Sequence, residues 1–244
     1  MELNGKIALV TGSTAGIGAE VARLLAAAGA EVVVTGRNAE RGAATVGSIT
    51  AAGGRAHFVP ADLSDLDSLQ RLAAEAGAVD ILVNNAAIFP GAPTVSQDVV
   101  SFDAALAANI RAPYFLTAAL APGMVARGSG SIVNISTMAA RIGMPGLSVY
   151  SATKAALESL TRTWAAEFSA AGVRVNTVAP GPTRTDMVLA SMGEEGAQQV
   201  GRTTMLGRLA TPREIAEVVY FLASDRAAYL TGATIAADAG RTAA

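Results

Sequence analysis

Tyr150 and Lys154 combine side-chain types and a spacing that can move a proton. They stand four residues apart on a predicted helix, so both side chains project from one face. A neighbouring ammonium group stabilises phenolate and lowers the pKa of a tyrosine from about 10. Such a pair can protonate a carbonyl oxygen as a hydride arrives. The same pair is also common on solvated helices, so the surrounding sequence must decide.

A glycine-rich segment near the N-terminus has the composition of a phosphate-binding turn. Residues 11–18 read TGSTAGIG and lie between a predicted strand and a predicted helix. Glycines permit a tight turn, and the helix start offers free N–H groups and a positive dipole end to a pyrophosphate. A dinucleotide binds at this place in a doubly wound sheet. A glycine-rich turn alone is weak evidence, because it also serves connections without a ligand.

The end of the second predicted strand bears on the choice of dinucleotide. Residues 34–38 read VTGRN and offer no carboxylate to the adenosine ribose hydroxyls. Arg37 can instead make a charge-assisted contact with a 2′-phosphate. The sequence therefore favours NADP(H) over NAD(H), with a merely solvated Arg37 as the alternative.

Alternating short apolar runs and Ala-rich segments predict the elements that must position these residues. Near-continuous Val, Ile and Leu runs are typical of a parallel sheet covered on both faces. We expect a single-domain, doubly wound α/β fold over residues 1–244. Predicted strands are 7–10, 32–34, 57–59, 81–83, 132–135, 173–178 and 233–236, and predicted helices are 19–28, 39–51, 66–76, 102–126, 151–170 and 212–224.

Residues 180–209 do not fit this alternation. Gly, Pro, Met and Thr are scattered through a stretch too long for an ordinary connection. We interpret residues 183–209 as a mobile lid over a site, with a plain surface excursion as the alternative.

Composition excludes several other classes of function. The chain has no cysteine and one histidine, His57, so thiolate or histidine-cluster metal sites and histidine-based triads are not expected. A net charge of −2 without a basic block argues against nucleic acid. No signal core or continuous apolar span is present, which favours a cytoplasmic protein without membrane contact. Only 16% of residues are charged and 51% are hydrophobic, which favours a homo-oligomer.

Many motifs stand together in register along the chain. Besides residues 11–18, they are Asp62-Leu63, NNAA at 84–87, Asn109, the strand 132–136, YSATK at 150–154, Asn176, Pro180-Gly181 and LTG at 230–232. In this pattern the sequence resembles the short-chain dehydrogenase/reductases, nearest to the 3-oxoacyl-acyl-carrier-protein reductases. The resemblance implies a Rossmann-type, seven-stranded parallel sheet. It also implies hydride transfer with nicotinamide that interconverts a carbonyl (ketone, aldehyde or 3-oxoacyl) and an alcohol.

The resemblance also implies roles for individual positions. Tyr150 would be the acid/base, Lys154 would hold the nicotinamide ribose and tune Tyr150, and Asn109 would anchor a relay water. The family's usual serine, thirteen residues before the tyrosine, is Thr137 here, and its neighbour Ser136 is the alternative hydroxyl. Expected cofactor contacts are Gly12, Ser13, Thr14, Gly16, Ile17, Gly18, Arg37, Asp62, Leu63, Asn85, Ala86, Ala87, Tyr150, Lys154, Pro180, Gly181, Thr183 and Thr185.

The sequence also bears on the substrate and on the oligomeric state. Gly128 and Ala171 stand where the carrier-protein reductases have basic docking residues, which disfavours a carrier protein, although Arg127 is adjacent. The expected pocket wall and lid are mostly apolar, favouring an uncharged small-molecule ketone, aldehyde or secondary alcohol, while Arg141 and Arg184 leave a weakly anionic one open. The competing hypotheses are an NAD-dependent alcohol dehydrogenase and a non-catalytic NADP sensor. Family resemblance and apolar helices favour a homotetramer.

Overall fold

Seven parallel strands form one sheet with helices on both faces. A computed structural model describes residues 1–243; residue 244 of the predicted domain span lies outside the described residues. The sheet order is β3-β2-β1-β4-β5-β6-β7 and every neighbouring pair is parallel. The doubly wound α/β prediction is therefore confirmed. The strands are β1 (Ile7–Val10), β2 (Glu31–Gly36), β3 (Arg55–Pro60), β4 (Ile81–Asn84), β5 (Gly130–Ile135), β6 (Val173–Pro180) and β7 (Thr234–Ala237).

Eight α-helices within residues 1–243 connect and cover these strands. They are α1 (Gly16–Ala27), α2 (Ala39–Ala51), α3 (Leu66–Ala76), α4 (Val99–Leu106), α5 (Ala112–Arg127), α6 (Ser148–Phe168), α7 (Asp186–Gly201) and α8 (Pro212–Ala223). Within residues 1–243, no helix combines the length and apolar character needed to cross a membrane.

The apolar runs of the strands explain why both sheet faces are covered. In β1, Ala8 and Val10 pack into one core cluster with residues of α1 and α8. Leu9, on the opposite face, packs into a second cluster with residues of α3, α5 and α6. Side chains alternate along a strand, so a continuous apolar run supplies two hydrophobic surfaces at once.

Two segments differ from the predicted pattern. The single helix predicted over residues 102–126 is interrupted by a π-helical turn, Ala107–Arg111, between α4 and α5. The irregular segment 180–209 contains the helix α7, which Gly193 kinks at φ 70°. Both irregular segments lie at predicted site residues: the π-helical turn contains Asn109, and α7 follows Thr185.

Candidate active site

Lys154 and Tyr150 lie on the first turns of α6, at the carboxyl end of β5. The Lys154 side chain is buried, and its Nζ donates a hydrogen bond of 2.7 Å to the Ile135 carbonyl at the end of that strand. Nζ lies 5.9 Å from the centroid of the Tyr150 ring. The predicted pair is therefore on one face of a helix and inside the protein, which excludes the solvated-helix interpretation.

Burial controls the protonation of both groups. It raises the pKa of Tyr150 to about 12, and a side-chain hydrogen bond with Thr137 acts in the opposite direction. It lowers the pKa of Lys154 to about 8. The sequence predicted a tyrosine pKa lowered by the ammonium group, whereas in the structure desolvation of the phenolate outweighs every favourable contact.

The two hydroxyls that follow β5 point in different directions. Thr137 interacts with Tyr150 and accepts a hydrogen bond of 3.2 Å from the Ala139 N–H. The Ser136 hydroxyl instead donates to Glu158 Oε1 at 2.8 Å and is buried. The structure thus brings Thr137 to Tyr150 and directs Ser136 elsewhere, as strand alternation requires.

Asn109 lies in the π-helical turn and is buried. Its Oδ1 accepts from the Ile88 N–H at 2.9 Å, and its Nδ2 donates to the Ile88 carbonyl at 3.0 Å and to Thr153 Oγ1 at 3.1 Å. These contacts use both N–H donors of the amide, and Oδ1 keeps one further acceptor position. Asn109 joins the segment after β4 to α6, beside the Tyr150 and Lys154 positions.

Sequence reasoning missed two residues that shape this cluster. The Phe89 ring meets the Tyr150 ring edge-on, with 4.7 Å between centroids and 64° between planes. The Glu158 carboxylate accepts a hydrogen bond from Ser136 and forms an ion pair with Arg141. Its position four residues after Lys154 was an available signal, because that spacing places it one turn further along the same helix.

The glycine-rich turn is packed so closely that side chains would not fit. Gly12 has φ 64°, and a Cβ there would stand 2.9 Å from Ala86 Cα. A Cβ on Gly18 would collide with Asn85 Nδ2 and the Gly12 carbonyl. Asn85 donates to the Thr11 and Gly12 carbonyls at 2.9 and 3.2 Å. The NNAA segment after β4 therefore fixes the shape of the turn after β1.

The start of α1 is free to bind an anion. Among the described residues, no side chain caps α1, and its first turn carries no acidic residue. Thr185 lies opposite, because a Cβ added to Gly16 would stand 3.4 Å from Thr185 Cγ2. The expected phosphate turn and the expected nicotinamide-side segment thus face each other across one groove.

Arg37 and Asp62 mark the adenosine end. Arg37 is exposed, and no carboxylate of residues 1–243 lies within 4.0 Å of its guanidinium. The N–H and hydroxyl of Ser64 hold the pKa of the exposed Asp62 below its usual range, and the charge of Arg37 adds to this. Thr14 packs over Gly36 at the end of β2. Leu63 and Ala86 line one small cavity together with Thr11.

Some expected cofactor residues have structural partners of their own. The Ser13 hydroxyl is buried, donating to the Val10 carbonyl and accepting from the Thr35 N–H at 2.9 Å. Ile17 packs against the core. The Thr183 hydroxyl donates to the Gly181 carbonyl at 3.0 Å. Of the remaining positions, Ala87 follows β4 and is partly buried. Pro180 ends β6 and is buried.

Known proteins are similar to this chain over its whole length. The enoyl-(acyl carrier protein) reductase family profile matches residues 12–242. A solved structure of a short-chain dehydrogenase/reductase family protein is 58% identical, covers 100% of both chains and superposes with a TM-score of 0.95. This chain is a short-chain dehydrogenase/reductase.

Other members of the family are similar over nearly their full length. The cis-4-hydroxycyclohexanecarboxylate dehydrogenase of Sinomonas cyclohexanicum is 41% identical, covering 98% of this chain and 97% of its own. The 3-oxoacyl-[acyl-carrier-protein] reductase of Thermotoga maritima is 34% identical over 98% and 99%. A provisionally assigned NAD(P)-dependent gluconate 5-dehydrogenase of Beutenbergia cavernae, solved with NADP at low occupancy, is 37% identical over 100% and 99%, with a TM-score of 0.94.

This short-chain dehydrogenase/reductase is accordingly an oxidoreductase that acts between carbonyl and alcohol groups. The predicted resemblance to the family, including the 3-oxoacyl-acyl-carrier-protein reductases, is confirmed.

Proposed function

We propose that this enzyme is an NADP(H)-dependent reductase or dehydrogenase that interconverts a small ketone or aldehyde and its alcohol, with Tyr150 as the acid/base. The observation that carries the proposal is the cluster of Tyr150, Thr137 and buried Lys154 at the end of β5. It stands at the carboxyl edge of the sheet, where ligands bind in doubly wound folds.

The groove has the features that NADP(H) needs. The uncapped start of α1 suits the pyrophosphate, and the close approach of Gly12 to Ala86 leaves backbone where side chains would block it. Arg37 suits a 2′-phosphate because it is exposed and cationic. A neighbour solved with NADP supports the same choice. We place the nicotinamide end along Pro180, Gly181, Thr183 and Thr185.

The protein supplies the proton and the orientation. Bound NADPH would supply the hydride. Tyr150 donates its hydroxyl proton to the carbonyl oxygen, and Thr137 donates a hydrogen bond to the same oxygen. With a pKa of about 12, Tyr150 keeps its proton at neutral pH until developing negative charge on the substrate draws it off.

Lys154 and Asn109 support that transfer. Lys154 Nζ uses one of its three donors on Ile135, leaving two for the nicotinamide ribose. A cation near the Tyr150 ring stabilises the phenolate as the proton leaves. Asn109 holds the π-helical turn where we place the relay water, and such turns are frequent at functional sites.

The lid and the pocket point to a moderately apolar substrate. In α7, Met187 and Met192 are exposed apolar side chains, and Phe89 contacts the Tyr150 ring. We propose that residues 183–209 close over this apolar site. Gly128 and Ala171 offer no cation to an acidic carrier protein, so a free carbonyl compound is preferred to a carrier-bound one.

Parallel titrations with NADPH and NADH, followed by a panel of ketones and aldehydes, test the proposal. We expect NADPH to bind more tightly, and Arg37→Ala to weaken NADPH about tenfold to a hundredfold while leaving NADH nearly unchanged. Arg213→Ala, on α8, serves as the matched control. Preference for NADH would favour the NAD-dependent alternative, and binding without any turnover would favour the sensor.

A further inference from the structure

The turn that carries Thr137 is held at both ends by one buried side chain. On its N-terminal side, Ser136 Oγ donates to Glu158 Oε1 at 2.8 Å. On its C-terminal side, Arg141 Nε lies 3.6 Å from Glu158 Oε2. Thr137 begins the 3₁₀ turn Met138–Ala140 that runs between these two contacts. The two oxygens of a single carboxylate therefore bracket the turn.

Glu158 is suited to fix this geometry. Its side chain is only 11% exposed, on the third turn of α6, and α6 also carries Tyr150 and Lys154. Ser136 additionally reaches the Lys154 carbonyl at 3.4 Å. Ser136, the neighbour of Thr137, is thus tied to the helix that carries Tyr150. A shift of this backbone away from α6 would lengthen the buried hydrogen bond from Ser136 to Glu158.

A buried carboxylate that serves only packing would be costly. Taking a carboxylate out of water has a large desolvation penalty, and a Leu or Met on α6 would fill the space without it. Glu158 touches neither the expected cofactor groove nor the Tyr150 hydroxyl in the described contacts. Its partners instead are the residues flanking Thr137.

We propose that Glu158 is a positioning residue, whose carboxylate holds Ser136 and Arg141 so that the Thr137 hydroxyl stays aimed at the substrate oxygen beside Tyr150. This inference rests on the proposed function, in which Thr137 binds that oxygen. The proposal also gives Ser136 a role. Ser136 was predicted as an alternative catalytic hydroxyl, and here it anchors the turn through Glu158.

Kinetics of Glu158→Ala in two backgrounds test the proposal. In the otherwise unchanged enzyme we expect kcat to fall about tenfold to a hundredfold, because displacement of about 1 Å at a reacting group has that effect. NADPH Kd and substrate KM should stay within about twofold. In Thr137→Ala, where the hydroxyl is already missing, the same change should cost almost nothing more. Glu167→Ala, on the exposed side of α6, is the control.

Two milder variants cover the case in which Glu158→Ala fails to fold. Glu158→Gln keeps the volume and an acceptor for Ser136 but loses the charge facing Arg141. Ser136→Ala removes the other contact alone. Each should lower kcat by less than Glu158→Ala, and each loss should vanish in the Thr137→Ala background.

Crystal structures of the variants separate this proposal from the proposed function. They show whether the 137–141 turn moves, even if the unchanged protein reduces no carbonyl at all. A displaced or disordered Thr137 in the variants supports the positioning role of Glu158. An unmoved turn overturns it, as does an unchanged kcat or an equal loss of kcat in both backgrounds.

Discussion

At the scale of single residues, the site is built around a buried amine. Lys154 Nζ is held by one carbonyl, and burial lowers its pKa from 10.5 to about 8. Burial raises the pKa of its neighbour Tyr150. These opposite shifts have one cause, since desolvation penalises the charged form of either group. At neutral pH the site therefore holds a neutral phenol beside a lysine whose pKa is near physiological pH.

The lowered pKa of Lys154 predicts a pH dependence of stability. Between about pH 8 and about pH 10, the folded protein binds fewer protons at Lys154 than the unfolded chain does. The free energy of unfolding should therefore rise with pH in this window, by about 2 kcal/mol from this group. Below about pH 8 the cost of burying the cation is constant.

Urea unfolding of the cofactor-free protein at a series of pH values measures this effect. Lys154→Met keeps the bulk but cannot ionise, so its curve should lack the rise. Identical slopes for the two proteins would contradict the assignment. The window ends near pH 10, because Tyr150 begins to oppose the trend there: its raised pKa makes the unfolded chain lose the proton first.

At the scale of elements, regular periodicity was predictable and local irregularity was not. The strands β1 and β4 and the helices α2 and α3 follow from apolar runs and Ala-rich segments, with Asn38 and Asp65 as N-caps. The π-helical turn at Asn109 left no compositional signal, since one extra residue in a helix turn alters neither propensity nor apolar content. The hydrogen bond beside Thr137 joins Ser136 to Glu158, which are 22 positions apart in the sequence and are brought together only by the fold.

The helix α7, which the sequence did not predict, contains a kink at Gly193 whose role can be tested. Gly193 adopts φ 70° and ψ 177° inside it, a conformation that an L-residue disfavours by about 1 to 3 kcal/mol. Gly193→Ala should straighten or destabilise the kink and so change kcat and KM for the carbonyl together, with NADPH Kd unchanged. Steady-state kinetics with a fluorescence titration of NADPH check this.

Gly47→Ala provides the comparison for Gly193. Gly47 lies inside α2, and a Cβ there would meet no atom within 4 Å. That change should leave the kinetics alone and stabilise the protein by about 0.5 to 1 kcal/mol. Unaltered kinetics in Gly193→Ala as well would refute a lid role for the kink.

At the scale of the whole molecule, exposed apolar side chains indicate assembly. Phe102 is 42% exposed on α4, and Tyr114 and Phe115 are 45% and 48% exposed on α5. Val99 and Val100, at 72% and 80%, extend the same stretch. Large apolar patches on a protein surface are typical of protein–protein contacts. We propose that α4 and α5 form subunit contacts of a homotetramer, and the sparse charge of the chain supports this.

Size-exclusion chromatography with light scattering tests the assembly. The unchanged protein should elute as a tetramer, and Phe115→Asp should yield a smaller species, because an unpaired charge cannot be buried in an apolar contact. Leu66→Asp, at an exposed apolar position of α3, should leave the tetramer intact. A monomer for the unchanged protein would rule out this interface.

The most direct test of the central claim compares the unchanged enzyme with Tyr150→Phe, by NADPH oxidation on a carbonyl panel and by NADPH titration. The change removes one hydroxyl and keeps the ring that packs on Phe89. We predict that kcat falls about a hundredfold to ten-thousandfold while NADPH Kd stays within about twofold. Turnover that survives in Tyr150→Phe, on a substrate that the unchanged enzyme reduces, would show that Tyr150 is not the acid/base.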